Sequence, residues 1–195
     1  ILCLDTQGNM ILINGEIGRK IWEDKVSKSL SSYNPDLIIN QMTACDLNAD
    51  GKYYELVIAT GFRSSFSIGA LIVYNMSSRE IIWMDIQYNS PYYKFIIADC
   101  DNNGLLDIVA GVYGKYIKIY NGLDGSEIFR YHAAVQDFTV GDFSIFTYPD
   151  IAIIQRNGSV FVLTTINGWS SSSKLWEKNL NPKFRLSHLA LGQFN

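Results

Sequence analysis

Two segments of this chain carry the same acidic pattern at the same register. Asp46, Asn48, Asp50 and Gly51 in the first are matched by Asp99, Asp101, Asn103 and Gly104 in the second, and each is followed by an aliphatic run. A degenerate third copy keeps Asp142 and Asp150 but has Ser144 and Phe146 between them, and a fourth begins at Leu191-Gly192-Gln193. What lies between these anchors repeats too. Ile1–Trp22 aligns without a gap on Ile108–Phe129, matching Asn14-Gly15 with Asn121-Gly122 and Gly18 with Gly125. Asn75 stands before Trp83 as Asn14 stands before Trp22 and Asn121 before Phe129, and the segment between Asn167 and Trp176 is one residue longer. A chain with internal copies of this kind has to be built from one small unit used several times, each copy burying the faces of its neighbours.

Inside each unit, short runs rich in Ile, Val, Tyr and Phe alternate with Gly, Asn and Ser, the pattern of strands and tight turns. Strands are expected near 38–45, 54–60, 69–75 and 80–87 in the second unit. The third is expected to hold 93–99, 106–112, 116–121 and 126–132, and the fourth 136–142, 150–156, 159–166 and 174–180. No window sustains a helical period, and Asn157-Gly158 between two apolar runs reads as a two-residue hairpin turn with positive φ at both central positions. Four antiparallel strands per unit, at a period of roughly 45–50 residues, describe a β-propeller blade. A β-sandwich also offers many short strands, but not a gapless internal match. The expected fold is therefore an all-β propeller with blades at about 1–30 (partial), 36–90, 91–133, 134–181 and 182–195. The chain opens at Ile1 without a Met, which reads as a segment of a larger propeller of six to eight blades. The alternative is a four-bladed ring in which residues 184–193 supply the strand missing from the first blade.

The acidic segments have the residue types of a cation-binding loop. Carboxylates and amides at alternating positions converge, glycine takes the sharp turn, and the next residue offers its carbonyl, a donor set suited to Ca²⁺. The first loop offers Asp46, Asn48, Asp50, the Lys52 backbone carbonyl and Glu55, and the second offers Asp99, Asp101, Asn103, the Leu105 carbonyl and Asp107. Glu55 falls one position later than Asp107 does. EF-hands are excluded: their bidentate Glu would fall on Val57 or Ala110, and both flanks read as strand. The third loop, with Ser144 and Phe146, is expected to hold no metal and to be fixed by packing and its own hydrogen bonds.

On Asp46–Val57 and Asp99–Gly111, with weaker support from Gly141–Ile154 and Leu191–Asn195, the chain resembles the FG-GAP (VCBS-type) repeats of the integrin α N-terminal propeller and its relatives. In that family the acidic loop joins the first two strands of a blade and binds a structural Ca²⁺. The resemblance thus implies two structural calcium sites on the ligands just named. The Phe-Gly and Gly-Ala-Pro elements that name the repeat are mostly missing here, and the Asn-Gly-x-x-Gly turn also resembles blades of the pyrroloquinoline-quinone type.

Composition bounds what such a scaffold does. With 48% hydrophobic and 18% charged residues the chain can bury a real core, and no apolar run approaches a membrane span. Net charge is −3 with scattered basic residues, which excludes a dedicated nucleic-acid surface. Cys3, Cys45 and Cys100 form no CxxC pair and read as small buried hydrophobes. No nucleophile-elbow, zincin, dinucleotide or P-loop motif is present, and His132 and His188 read as structural residues. The expectation is a non-catalytic module that binds a protein or a glycan, with Tyr88, Tyr92, Tyr93 and Tyr148 as candidate contacts, or else as rim packing. A lyase- or quinoprotein-like enzyme and an intracellular trafficking or coat-complex subunit are the alternatives. Two sequons, at Asn75 and Asn157, and the calcium-type loops point toward an extracellular or cell-surface setting, with a cytoplasmic complex as the alternative.

Overall fold

A computed structural model describes residues 2–4, 9–25, 37–62, 68–180 and 188–189. Among them the chain is built of antiparallel β-strands with one short 3₁₀ turn at Trp169–Ser171. The first sheet holds β1 (Leu2–Leu4), β2 (Asn9–Ile13) and β3 (Lys20–Lys25). The second holds β4 (Leu37–Cys45), β5 (Glu55–Phe62), β6 (Ile68–Asn75) and β7 (Glu80–Tyr88). The third comprises β8 (Tyr92–Ala98), β9 (Asp107–Val112), β10 (Tyr116–Tyr120) and β11 (Glu127–His132). The fourth comprises β12 (Val135–Gly141), β13 (Asp150–Gln155), β14 (Ser159–Thr164) and β15 (Ser173–Asn179). Each sheet is a simple meander whose strands are neighbours in chain order, three-stranded in the first case and four-stranded in the others. Every strand expected in the second to fourth units is found, displaced by at most two residues at either end. The proposed strand at 184–193 lies largely outside the described residues, and His188 and Leu189 carry no strand assignment.

The chain divides into two compact units, one of residues 1–45 and 54–92 and the other of residues 46–53 and 93–195. In the first unit Met10 from β2 packs with Leu56, Ile58, Ala70, Ile72 and Tyr74 from β5 and β6. The second unit packs Val109, Ile117 and Ile119 of one sheet against Val135, Phe138, Ile151, Ile153, Phe161 and Leu163 of the next. Both β9 and β10 are buried along their whole length, whereas the outermost β15 is exposed along all of its length. The middle strands therefore read as continuous apolar runs and the outer ones as alternating or polar runs, since only the former have two covered faces.

The turn before the last strand of the first three sheets repeats in atomic detail. Asn14 Oδ1 accepts the N–H of Glu16, and Asn75 and Asn121 do the same for Ser77 and Leu123, at 2.8–2.9 Å. The N–H four residues on then bonds back to the Asn carbonyl, from Gly18, Arg79 and Gly125. These three have positive φ, of 65°, 63° and 72°, so the Gly of two copies is replaced in the middle one by an arginine held in the left-handed region. A β-bulge lies just before each of these Asn residues, at Leu12/Ile13, Val73/Tyr74 and Ile119/Tyr120. The Asn157-Gly158 turn differs from the sequence expectation. Three residues connect β13 to β14, Gly158 N–H bonds to Gln155 O, and only Gly158, at 87°, has positive φ. A three-residue loop of this kind needs one left-handed residue where a two-residue turn needs two.

Within the second unit, the residue after each acidic anchor is a plug into the next repeat. Leu47 is buried against Gly122, where a Cβ would stand 3.0 Å from Leu47 Cδ2 and 2.1 Å from the Leu106 carbonyl oxygen. Cys100 is likewise buried, and its carbonyl accepts the Trp169 indole N–H at 3.0 Å. Gly122→Ala is therefore expected to lower stability by roughly 1–3 kcal/mol, because the obstacle is backbone and cannot rotate away. An unchanged urea midpoint would show that loop and turn do not meet.

Candidate metal centre

The two acidic loops fold alike. In the first, Asp50 N–H bonds to Asp46 Oδ1 and to Asn48 Oδ1, each at 3.0 Å, Gly51 N–H to Asp46 Oδ2 at 2.8 Å, and Lys52 N–H to Asp50 Oδ1 at 2.9 Å. The second repeats each bond. Asn103 N–H reaches Asp99 Oδ1 at 3.1 Å and Asp101 Oδ1 at 3.2 Å, Gly104 N–H reaches Asp99 Oδ2 at 2.9 Å, and Leu105 N–H reaches Asn103 Oδ1 at 2.7 Å. The positive φ angles also coincide, at Ala49 and Asn102 (56° and 57°) and at Gly51 and Gly104 (80° and 85°). Short acceptor side chains curl the backbone around themselves in this way because they bond N–H groups two to five residues ahead. Each such bond uses one lone pair of a carboxylate or amide oxygen, which carries two.

The loops differ in how the closing carboxylate arrives. Asp107 opens β9, is buried, and accepts the Cys100 N–H at 2.9 Å. Its oxygen, with one each from Asp99 and Asp101, forms a set whose members all lie within 4.8 Å of one another. Among the described residues this is the one such group of three acidic, His or Cys side chains. Glu55 opens β5, is also buried, and stands opposite Cys45 in the register, as Asp150 stands opposite Gly141. Since Cys45 and Gly141 each precede an anchor, the extra residue before Glu55 is absorbed in the loop and the carboxylate starts its strand at the equivalent place. In the third loop Phe143 N–H bonds to Asp150 Oδ2 at 2.8 Å, repeating the Cys100–Asp107 bond. There Ser144 Oγ donates to Asp150 Oδ1 at 3.1 Å and accepts the Phe146 N–H at 3.3 Å, so a hydroxyl bonds the closing carboxylate where Asp101 would place a second charge.

Electrostatics single out Asp107. Burial pushes its carboxyl up to about 6, helped by the charges of Asp101 and Asp99 and opposed by the Cys100 N–H. No Lys or Arg lies between Asp99 and Asp107 to offset them. Burial and the same carboxylates push the Cys100 thiol far up, so it stays a neutral, inert hydrophobe. The loop is tied to its neighbour by the Trp169–Cys100 bond and by Asn102 Nδ2 donating to the Thr147 carbonyl at 2.8 Å. Trp169, which also packs on the Phe129 ring at 5.0 Å, was invisible as a site residue; the extra residue between Asn167 and Trp176 was its only trace.

The remaining candidates are scattered. Asn75 and Asn157 sit in hairpin turns, each spending its side-chain oxygen on a backbone N–H, of Ser77 and Ser159. Tyr92 is core, with its hydroxyl on Asp85, while Tyr88 is exposed and Tyr93 and Tyr148 are half-buried. His132 packs edge-on to Tyr116 at 5.7 Å, and the exposed His188 has Nδ1 3.7 Å from Asp137. Cys3 is exposed, and Cys45 directs its thiol at the Glu55 carbonyl.

No protein-family model matches the chain, and no curated protein does. Solved structures do. The quinohemoprotein alcohol dehydrogenase of Comamonas testosteroni superposes with a TM-score of 0.66 at 14% identity, covering 93% of this chain and 34% of that one. BamB from Moraxella catarrhalis gives 0.51 at 14%, covering 91% and 45%. BBS1N in complex with ARL6DN gives 0.55 at 11%, covering 92% and 51%. The neighbours are β-propeller proteins, and at this identity they establish the fold alone. The chain spans between about a third and a half of their length.

The raised pKa of Asp107 has a defined consequence for the metal-free chain. Between about 6 and 3.8 the folded state holds a proton that the unfolded state has released, so this group adds stability as pH falls and withdraws it as pH rises. Asp107→Asn keeps an acceptor for the Cys100 N–H and removes the charge. In chelator, wild type is expected to lose stability relative to Asp107→Asn on going from acid to neutral pH. A difference independent of pH in urea unfolding would refute this.

Proposed function

We propose that the chain is part of a non-catalytic β-propeller module whose acidic loops hold structural Ca²⁺ and whose exposed loops engage a protein or glycan partner. The observation that carries the metal reading is the convergence of Asp99, Asp101 and Asp107 within 4.8 Å, one of them buried. Calcium binds oxygens at about 2.3–2.6 Å, so ligands on opposite sides of the ion stand up to about 5 Å apart, and the set has that span. Three carboxylates at this spacing repel one another, and a divalent cation converts that repulsion into attraction. Asp99, Asp101 and Asp107 would supply the charge, with Asn103 and the Leu105 carbonyl completing the oxygen set. The first loop would offer Asp46, Asn48, Asp50 and the Lys52 carbonyl, a smaller set with two carboxylates. The bound ion would add its binding free energy to the folded state by locking the connection between the first two strands of a blade.

Support for a binding role comes from the chemistry of the exposed surface and from the neighbours. Each histidine is engaged in packing or stands exposed, and each buried cysteine is set in the core. One structural neighbour, BBS1N, is a propeller crystallised in complex with a protein partner. No helix is long and apolar enough to cross a membrane among the described residues.

The test is a thermal melt against calcium. At a free ion concentration about a hundredfold above Kd, stability is expected to rise by about 2.7 kcal/mol per site. Asp99→Ala is expected to lose the rise assigned to the second loop, whatever it does to the metal-free melt. A melt indifferent to Ca²⁺ and to chelator would remove the metal from this reading.

A further inference from the structure

The sheets of the second unit have two chemically different ends. Antiparallel meanders send the acidic loops and the Asn turns to one end, and the β9–β10, β11–β12 and β13–β14 connections to the other. This second end forms one continuous surface: Ala133 N–H bonds to the Lys115 carbonyl at 3.0 Å, and Arg156 N–H to the Ala134 carbonyl at 2.9 Å. The first end carries Asp46, Asp50, Asp99, Asp101, Asp124 and Asp142 in its loops, against Lys52. The second carries exposed Lys115, Arg156 and His132. Its carboxylate, Asp137, is buried and fully engaged. Oδ1 accepts Lys94 Nζ at 2.8 Å and its neighbour Phe138 N–H at 2.9 Å, and Oδ2 accepts Leu189 N–H at 2.8 Å.

Arg156 is the centre of this end. Its guanidinium lies 4.0 Å over the Tyr113 ring and against Gly114, where a Cβ would stand 3.4 Å from Cζ. Gly114 has a φ of 69°, so the turn both tolerates and needs a residue without a side chain there. Among the described residues Arg156 has no ion-pair partner, and its five N–H donors are held in a fixed plane at the surface. Arg130, the other exposed arginine among the described residues of this unit, shows the contrast: its guanidinium is taken by Glu127 at 2.5 and 3.0 Å. Behind Tyr113, which meets it edge-on at 5.9 Å, the Tyr93 hydroxyl is buried without a hydrogen-bond partner.

We propose that this end of the second unit docks an acidic segment of a partner protein, with Arg156 receiving a carboxylate through its planar fork and Tyr113 serving as the platform that holds the fork in place. A stacked guanidinium is pre-organised for a planar carboxylate, and Tyr and Arg are the residue types on which interface energy concentrates. A nucleic acid calls for a stripe of many cations, which the two exposed cations among the described residues of this end and a net charge of −3 do not make. The inference rests on reading the chain as a binding module and names the chemistry of its partner.

The experiment is a fluorescence-anisotropy titration of the full chain with a labelled peptide of alternating Glu and Gly around one Phe, beside its Lys-for-Glu counterpart. The acidic peptide is expected to bind, more weakly as salt rises, and the basic one is not. Arg156→Ala should weaken binding by about tenfold or more, and Arg156→Lys should not restore it, because an ammonium offers no fork. Arg130→Ala should bind like wild type, with melting temperatures confirming that each variant is folded. Absence of binding, equal binding of the basic peptide, or an Arg156→Ala titration matching wild type would overturn the proposal. So would full displacement of the acidic peptide by inorganic phosphate alone at equal concentration, which would mark a simple anion site. The titration is run with calcium and with chelator. Peptide binding in both, with a calcium-indifferent melt, would leave this proposal standing and remove the metal; the reverse result would remove this proposal alone.

Discussion

A sheet whose two middle strands are apolar on both faces cannot be stable by itself, and the architecture of this chain follows from that constraint. Burying β9 and β10 along their whole length requires a second sheet, and β12–β14 supply it within the same unit through Phe138, Ile151, Ile153 and Phe161. The outer strands do not share the demand, so β15 is free to be polar throughout. The cost is that within this unit each sheet's stability is borrowed from its neighbour, and the places where loops of its successive repeats touch become part of the fold rather than decoration. Leu47 against Gly122 and Cys100 under Trp169 are two instances of one device, a plug after each acidic anchor that fits the hairpin of the following repeat.

That device explains why the acidic loops belong where they are. A loop built on Asp, Asn and Gly is curled by its own side chains, and a curled loop presents the residue after the anchor at a fixed place. Metal would strengthen this arrangement without creating it. The third loop makes the point, since Ser144 and Asp150 rebuild the closing hydrogen bonds with one charge fewer. What the third loop lacks is the excess of negative charge. Asp107 sits buried beside Asp99 and Asp101, and its carboxyl is pushed up to about 6 as a result. In the proposed reading, a bound cation would turn that repulsion into attraction.

Much of this was legible in the residues because local chemistry repeats where structure repeats. The Asn14, Asn75 and Asn121 turns align by sequence alone, and their hydrogen bonds coincide. The two acidic loops match by the same logic, and the register shows that the extra residue before Glu55 is taken up ahead of the strand. Arg79 shows how far the alignment goes, because it occupies a left-handed position that its counterparts give to glycine, and it covers the Trp22 ring at 5.7 Å. The illegible parts are those that depend on which copies differ. Trp169, the Asp137 junction with Lys94 and Leu189, and the Arg156–Tyr113 stack each occur in one repeat and join residues far apart in sequence. Periodicity finds what copies share, and specificity lies in what they do not.

The separation of charge follows from this same split between shared and unshared positions. In the second unit the anchors Asp46, Asp99 and Asp142 put carboxylates at one end as a matter of repeat, so that end is acidic by inheritance from the fold. The opposite end is constrained only by short turns, and the three residues between β9 and β10 or between β13 and β14 leave two exposed side chains apiece to be chosen freely, Tyr113 and Lys115 in one and Arg156 and Asn157 in the other. Tyr113 and Arg156 are the choices made here. They meet because successive hairpins of one unit stand side by side, and the smallness of Gly114 lets the guanidinium settle on the ring. An arginine fixed in this way forgoes the freedom to seek a carboxylate of its own chain, which Arg130 uses on Glu127. The conformational entropy lost in holding that side chain is then spent before any partner arrives, and a partner's carboxylate meets a fork already in position.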